Sequence, residues 1–299
     1  LTAVLNARLI GMIARLINRA EGKLRDLGIN APLMVVRGDG ARISADQARE
    51  RPIETILSGP AASIVGARWM TGADHALVSD IGGTTTDVAL LRDGKPKIDP
   101  AGARVGPWRT MVEAVAMRTP GLGGDSEVDV IDEGLSGGLT LGPRGVTPSD
   151  ASLALGRADA VDNDAARKAM QLIARKRTGS GDRLAETVED MAQMIVDQLT
   201  HQTSLALLES AFAEEDTDFG LSAAALAQHV LMQKGLDQHR GLLRFDAGLN
   251  LPVVGLGASA PSYYPAVGDR VGTQMLLPEH AGVANAVGGH AIACDVSNQ

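Results

Sequence analysis

Two glycines and three threonines separate two strongly apolar runs in VSDIGGTTTDVALL, residues 78–91, with Asp80 before the turn and Asp87 after it. Such a turn can be read in two ways. Gly82 and Gly83 can adopt positive φ and let a ligand approach the backbone, whose successive N–H groups form an anion-binding nest, with the Thr84 and Thr85 hydroxyls adding donors. In that reading the turn suits phosphate. Asp80, at a strand end, can then hold a hydrated Mg²⁺ or orient an attacking water, and Asp87 can support the metal's water shell. In the other reading the turn is an ordinary Gly-Gly hairpin with exposed threonines.

The surrounding pattern places the turn in an α/β chain. Upstream, residues 3–27 read as an amphipathic helix with Leu5, Leu9, Met12, Leu16, Ala20, Leu24 and Leu27 on one face. A strand at 32–36 follows, then a short helix opened by the Ser44–Gln47 capping pattern and a helix over 60–71 between Pro60 and Gly72. Strands 76–80 and 85–91 flank the turn, and Asp93-Gly94 signals a tight hairpin into a third short strand, completing a meander. Downstream the expected helices lie near 148–156, 163–176, 184–212 and 222–234, then strands 252–256 and 271–277 and a helix over 280–293.

Composition excludes several function classes. The 28 basic and 36 acidic residues give a net charge of −8, the wrong sign for a phosphate-backbone binder, and 2% aromatics leave few platforms for stacking bases. No nucleic-acid partner is expected. Arg8 and Arg15 interrupt the first apolar run and no other run approaches spanning length, so neither a targeting segment nor a membrane partner is expected. Cys294 is the single cysteine, which rules out a disulfide framework and fits a reducing, cytoplasmic location.

Two further glycine turns bear on the choice between ligand and hairpin. TPGLGGDSEVDV, 119–130, sets Gly123-Gly124 before Asp125, a second tight backbone approach that by itself reads as a loop. In LPVVGLGASAPSYYP, 251–265, an apolar strand ends in Gly255, Gly257, Ala258 and Ser259, with Pro261 opening a short helix: a floor for a flat nucleoside. The same residues fit the dinucleotide fingerprint G-x-G-x-x-A, but too little chain follows for the βαβαβ run which that fingerprint opens.

In their order, LSGPAASIVGARWM, SDIGGTTTDVALL, GLGGDS and VVGLGASAP resemble the actin-like ATPase superfamily of sugar kinases, Hsp70 and actin, specifically its second lobe. Within it, RPIETILSGPAASIVGA followed by DIGGTTTDVALLRDG, with LLPEHAGVANAVGG near the end, is similar to the hydantoinase A/oxoprolinase family. The resemblance implies an actin-like (ribonuclease H-like) α/β lobe, a mixed sheet flanked by helices. It implies ATP and Mg²⁺ as cofactors, with Asp80 and Asp87 catalytic and Asp80 the water-mediated metal contact. Nucleotide contacts fall to Gly82, Gly83, Thr84, Thr85, Gly123, Gly124, Asp125, Gly255, Gly257, Ala258 and Ser259. The implied reaction opens a cyclic amide such as a hydantoin or 5-oxoproline by phosphorylating the carbonyl oxygen, often with a B-type partner subunit; relatives serve carboxylases that phosphorylate ketones. Self-association into a homo-oligomer stays open.

Two features depart from that family. The family's longer members carry an amino-terminal lobe with its own G-G-T-x-T-D loop, a motif absent before residue 78, and they tend toward G-A-G-G-G-S where this sequence has GLGGDS. Residues 1–72, with 279–299 packing back, are therefore expected to form the remainder of a first lobe, and 73–278 the second, nucleotide-binding lobe. A nucleotide-driven reactivase or a small-molecule kinase of the same superfamily remain alternatives. His75, His280 and His290 lack the spacing of a helical metal-ligand pair and are expected to be structural or solvated. Asp159, Asp162 and Asp164 read as helix-capping acids, and Arg8, Arg15 and Arg19 as a solvated face.

Overall fold

The structure, a computed structural model, describes residues 1–131, 138–142, 147–157, 163–178, 180–215 and 217–294. The chain opens with α1 (Thr2–Asp26), β1 (Met34–Val36), β2 (Arg42–Ser44), α2 (Ala45–Glu50) and α3 (Ser58–Thr71). The meander follows as β3 (Ala76–Ile81), β4 (Thr86–Arg92) and β5 (Lys95–Pro96). Short strands β6 (Ile98–Asp99), β7 (Arg104–Val105), β8 (Trp108–Arg109), β9 (Ala114–Val115) and β10 (Met117–Arg118) lead to the hairpin β11 (Glu127–Ile131) and β12 (Gly138–Gly142). Then come α4 (Pro148–Ala154), α5 (Asn163–Ala174), α6 (Val188–Glu214), α7 (Ala223–Gln228) and α8 (Val230–Leu236). The chain closes with β13 (Val253–Leu256), α9 (Ala260–Val271), β14 (Met275–Leu276) and α10 (Ala284–Cys294).

Local chemistry accounts for most of these boundaries. The Ser44 side chain accepts from the Gln47 N–H while Gln47 reaches back to the Ser44 N–H, so α2 starts on a full capping box. Gly72 ends α3 at φ 68°. Asp93 and Gly94 both take positive φ, 53° and 70°, as a primed two-residue hairpin turn demands. Of the acidic cluster, Asp164 lies in the first turn of α5, where a carboxylate favours the helix dipole; Asp159 and Asp162 fall outside the described residues.

Three expectations are corrected. The inward stripe of α1 runs through Ile13 and Ile17 instead of Met12 and Leu16: Ile17 is buried against Ile43, Ala45 and Ala48, whereas Met12 and Leu16 are exposed. Both stripes have helical spacing, and the packing partner chose between them. The single helix expected over 222–234 is two, because His229 is extended (φ −62°, ψ 136°) and caps the second with its own Nδ1, which accepts from the Leu231 N–H. The strand expected over 271–277 shrinks to Met275–Leu276, since α9 continues to the buried Val271 and stops at Gly272 in the left-handed region.

The central sheet has the order β10-β4-β3-β13-β14, with β5 on β4. β13 runs parallel to both β3 and β14, while the four-residue link between β3 and β4 makes that pair antiparallel. This is the mixed sheet flanked by helices that the sequence predicts. Every residue of β13 and all but Asp80 of β3 are buried, as parallel central strands with both faces covered require.

The chain divides into two compact units. The first holds Leu1–His75, Ala89–Met117 and Val283–Gln299; the second holds Ala76–Val88 and Arg118–Gly282. In the first, α3 and α10 touch backbone to backbone: a Cβ on Gly66 would lie 2.1 Å from the Ala284 carbonyl oxygen, and one on Gly288 1.8 Å from that of Ala62. In the second, the 27-residue α6 forms the spine, burying Met191, Ile195, Leu199 and Leu207 among α4, α5 and α9.

Candidate functional site

Strand register brings the glycine turns together within the second unit. Gly255 pairs with Ser79 and Leu256 with Asp80, so parallel β3 and β13 end at one edge of the sheet. Ligands of open α/β sheets sit outside the carboxyl ends of such strands. Here those ends carry Asp80 to Thr85 on one strand and Gly257 to Ser259 on the other. Gly257 has φ 104°, and a Cβ on it would lie 2.1 Å from the Ile81 carbonyl oxygen, so the second strand can turn there only as glycine.

The second glycine turn lies along the first. Gly124 N–H donates to the Gly82 carbonyl at 3.0 Å and Asp125 N–H to that of Gly83 at 2.6 Å; Gly123 N–H donates to Ser126 Oγ at 2.9 Å. A Cβ on Gly123 would sit 2.4 Å from the Gly83 carbonyl oxygen. The three N–H groups of this turn are thus occupied, and it braces the first turn while offering a ligand the exposed Asp125 carboxylate. Ser149, one residue into α4, secures the brace: its Oγ–H donates to the Gly124 carbonyl at 2.8 Å and approaches Asp125 Oδ1 at 3.2 Å.

In the first turn, Gly82 N–H closes the loop on the Thr85 carbonyl at 2.8 Å. Residues 82–85 are exposed, and among the described residues the N–H groups of Gly83 and Thr84 meet no protein acceptor. Neither Gly82 nor Gly83 takes the positive φ that the sequence reading allowed for; the turn instead leaves two adjacent N–H donors open at strand carboxyl ends, where an anion can be bound. Thr86, by contrast, is buried: its Oγ1–H donates to the Leu122 carbonyl at 2.7 Å.

Asp80 and Asp87 flank the nest from adjacent strands, both half-buried. Burial pushes the Asp87 carboxyl above the ordinary carboxylate range; a hydrogen bond from Thr119 (2.7 Å) pulls it back down, and the Asp80 charge pushes it up again. Such mutual repulsion is relieved by a cation between the carboxylates, and Mg²⁺ is commonly held by one or two carboxylates through its own waters. The pair therefore fits a hydrated ion. A cage of protein ligands does not fit: among the described residues no three His, Cys, Asp or Glu side chains converge. His75 pairs with Asp93 at 3.6 Å, and His290 stands edge-on to Trp69 beside Cys294.

Of the three turns, the third is split in depth. Gly257, Ala258 and Ser259 lie at the strand end, with Ala258 exposed, whereas Gly255 is buried inside β13, where a Cβ would meet Leu277 and Tyr264 at 2.7 Å each. Its lack of a side chain admits Tyr264, which is fully buried with its hydroxyl 2.7 Å from Ser79 Oγ, directly beneath the Asp80 backbone. Burial pushes that phenol far above its ordinary range, so it serves as a neutral support. Thr119, Ser149 and Tyr264 escaped the sequence reading. The capping box Thr147–Asp150 was a visible signal for the helix start that carries Ser149, but not for where that helix would point.

The chain that carries this turn is similar to known proteins over nearly its whole length. Residues 1–294 match the hydantoinase/oxoprolinase family. The chain belongs to that family. It is similar to the caprolactamase alpha subunit of Pseudomonas jessenii, 24% identical over 284 residues, covering 92% of this chain and 38% of the relative. The acetophenone carboxylase gamma subunit of Aromatoleum aromaticum is 28% identical over 170 residues, 55% of this chain and 23% of the relative. Among solved structures, nucleotide-free acetone carboxylase superposes with a TM-score of 0.65 at 19% identity, over 91% of this chain and 37% of that one. The ATP-dependent caprolactamase of P. jessenii superposes at 0.63 with 21% identity, over 96% and 40%. The chain shares the α/β fold of these two structures, a mixed sheet flanked by helices as expected, and it spans about two fifths of the length of the relatives it matches most fully. Among its described residues, no helix is long and apolar enough to cross a membrane.

Proposed function

We propose that this hydantoinase/oxoprolinase chain is the second nucleotide-binding lobe, residues 73–278, of an ATP-dependent hydrolase that opens a cyclic amide of the hydantoin, 5-oxoproline or lactam type. Residues 1–72 and 279–299 would belong with the remainder of the first lobe. The observation that carries the proposal is the open nest at Gly83 and Thr84 between Asp80 and Asp87. A resonance-stabilised amide resists water; phosphorylating its carbonyl oxygen makes the carbon electrophilic, so that water adds there, the ring C–N bond breaks with the nitrogen taking up a proton, and the acyl phosphate so formed is hydrolysed to carboxylate and inorganic phosphate. The nest N–H groups, with the Thr84 and Thr85 hydroxyls, would hold phosphate oxygens of ATP. Gly257 to Ser259 would lie against its nucleoside, and Asp125 would close the phosphate side.

Mg²⁺ would supply charge neutralisation on the phosphates, with Asp80 holding its water shell and Asp87 facing the same space. The Asp87 carboxyl, raised by burial, is suited to accept a proton from an attacking water. The subunit designations of the relatives support assembly with a second, B-type subunit, and the lone cysteine supports a cytoplasmic setting.

A second reading, phosphorylation of a ketone within a carboxylase, is favoured by the likeness to acetone and acetophenone carboxylases. Both readings place the same chemistry on Asp80. In the full-length protein, Asp80→Asn keeps shape and removes charge, so turnover of ATP should fall by roughly a hundredfold while nucleotide affinity changes little. Normal turnover in the folded variant would overturn the proposal. Stimulation of ATP hydrolysis by cyclic amides, against ketone plus bicarbonate, separates the two readings.

A further inference from the structure

We propose that Thr119, the residue that opens the second glycine stretch, is a positioning residue that fixes the orientation of the Asp87 carboxylate at the phosphate turn. The inference rests on the assignment of Asp87 to the reaction. Its basis is geometric. Thr119 Oγ1–H donates to Asp87 Oδ1 at 2.7 Å, across 32 residues of sequence. The segment carrying Thr119 is fastened to β4 just ahead of Asp87: Thr86 N–H donates to the Pro120 carbonyl at 3.2 Å, and the buried Thr86 Oγ1–H donates to the Leu122 carbonyl at 2.7 Å. Pro120 restricts Thr119 to extended backbone, so the hydroxyl is presented from a stiff support.

A carboxylate on an extended strand can turn about two side-chain torsions. With Oδ1 held by Thr119, the plane of the group is set and Oδ2 is left to a water or a substrate proton; among the described residues it takes no other protein donor. Without that bond the carboxylate turns freely beside Asp80, and the fraction of time it faces the reacting atoms drops. A misplacement of this kind acts on the chemical step and leaves binding of nucleotide, which depends on the backbone nest, largely untouched.

The test uses the full-length protein and four variants: Thr119→Val, which keeps the shape and removes the donor; Thr119→Ser, which restores the donor; Asp87→Asn; and the double variant Thr119→Val/Asp87→Asn. The expected result for Thr119→Val is a fall in kcat on the order of tenfold with less than about a twofold change in the KM for ATP. Thr119→Ser should recover most of kcat, and adding Thr119→Val to Asp87→Asn should cost nothing further, because the two residues act as a unit. Normal kcat in Thr119→Val beside an impaired Asp87→Asn would overturn the role of Thr119 alone. Normal kcat in Asp87→Asn would overturn the assignment of Asp87 and this inference with it. Fully additive losses in the double variant, or a Thr119→Ser variant as slow as Thr119→Val, would also overturn it.

Discussion

His201 on α6 lies with its Nδ1 3.4 Å from the Arg270 guanidinium, which also binds Asp237 and Gln233. Burial, and then the Arg270 charge, hold its pKa below the ordinary histidine value, with Asp237 opposing weakly. The unfolded chain takes up its proton near pH ~6.5 and the folded chain only at lower pH, so this group's contribution is present above that value and lost as pH falls. Melting temperature should therefore decline between about pH 7.5 and 5.5, and His201→Gln, whose amide oxygen can still accept from Arg270, should flatten that decline. Parallel curves for the two proteins would show that His201 does not couple to stability. Asp87 presents the opposite trade. Its charged form is held in a half-buried place beside Asp80, so Asp87→Asn should melt no lower than the wild type even as turnover falls by about a hundredfold. Paired thermal melts and ATPase rates check this dissociation; a variant both less stable and slow would assign Asp87 to the architecture.

Helices α3 and α10 meet through atoms that are missing from their sequences. Ala62 and Gly66 on one face Ala284 and Gly288 on the other, and each glycine receives the opposing carbonyl where a Cβ would otherwise be. No rotamer can relieve a clash with backbone, so Gly288→Ala must move the helices apart. The expected cost is about 1–3 kcal/mol, read as a lower urea midpoint with an unchanged slope. An unchanged midpoint would mean that the two helices can separate freely. The break between α7 and α8 illustrates a different control. Residues 222–234 contain no proline and no glycine, yet His229 leaves the helical region and caps α8. Here a side-chain-to-backbone bond competes successfully with helix continuation, an option open to a residue whose ring nitrogen reaches the N–H two positions on.

At the scale of the whole molecule, the proposed nest would contact phosphate from one side. If nucleotide is clasped between two lobes, the 299-residue chain by itself should bind MgATP with a dissociation constant above about 0.1 mM, less than about 5.5 kcal/mol of binding free energy. Calorimetry on the chain and on the full-length protein measures the difference. Micromolar binding by the chain alone would show that the lobe needs no counterpart.

The turn chemistry was legible without coordinates because it is local. Asp93-Gly94 at the hairpin and Gly257 at the strand end answer to positive-φ conformations that few residues satisfy, whereas Gly82 and Gly83 do not take positive φ; the stretches RPIETILSGPAASIVGA and DIGGTTTDVALLRDG carried the resemblance to the family. The capping box at Ser44 was readable for the same reason. Tertiary structure decided everything that needs a distant partner. Strand order β10-β4-β3-β13-β14 sets Gly257 against Ile81 across 176 positions and aligns the strand carboxyl ends that carry the candidate site. The same packing engaged the N–H groups of Gly123–Asp125 within the protein, buried Gly255 beneath Tyr264, and set Thr119 against Asp87. It also chose Ile13 and Ile17 over Met12 and Leu16 as the inward face of α1, since a helical period marks which residues share a stripe and only the neighbouring surface determines which stripe is covered.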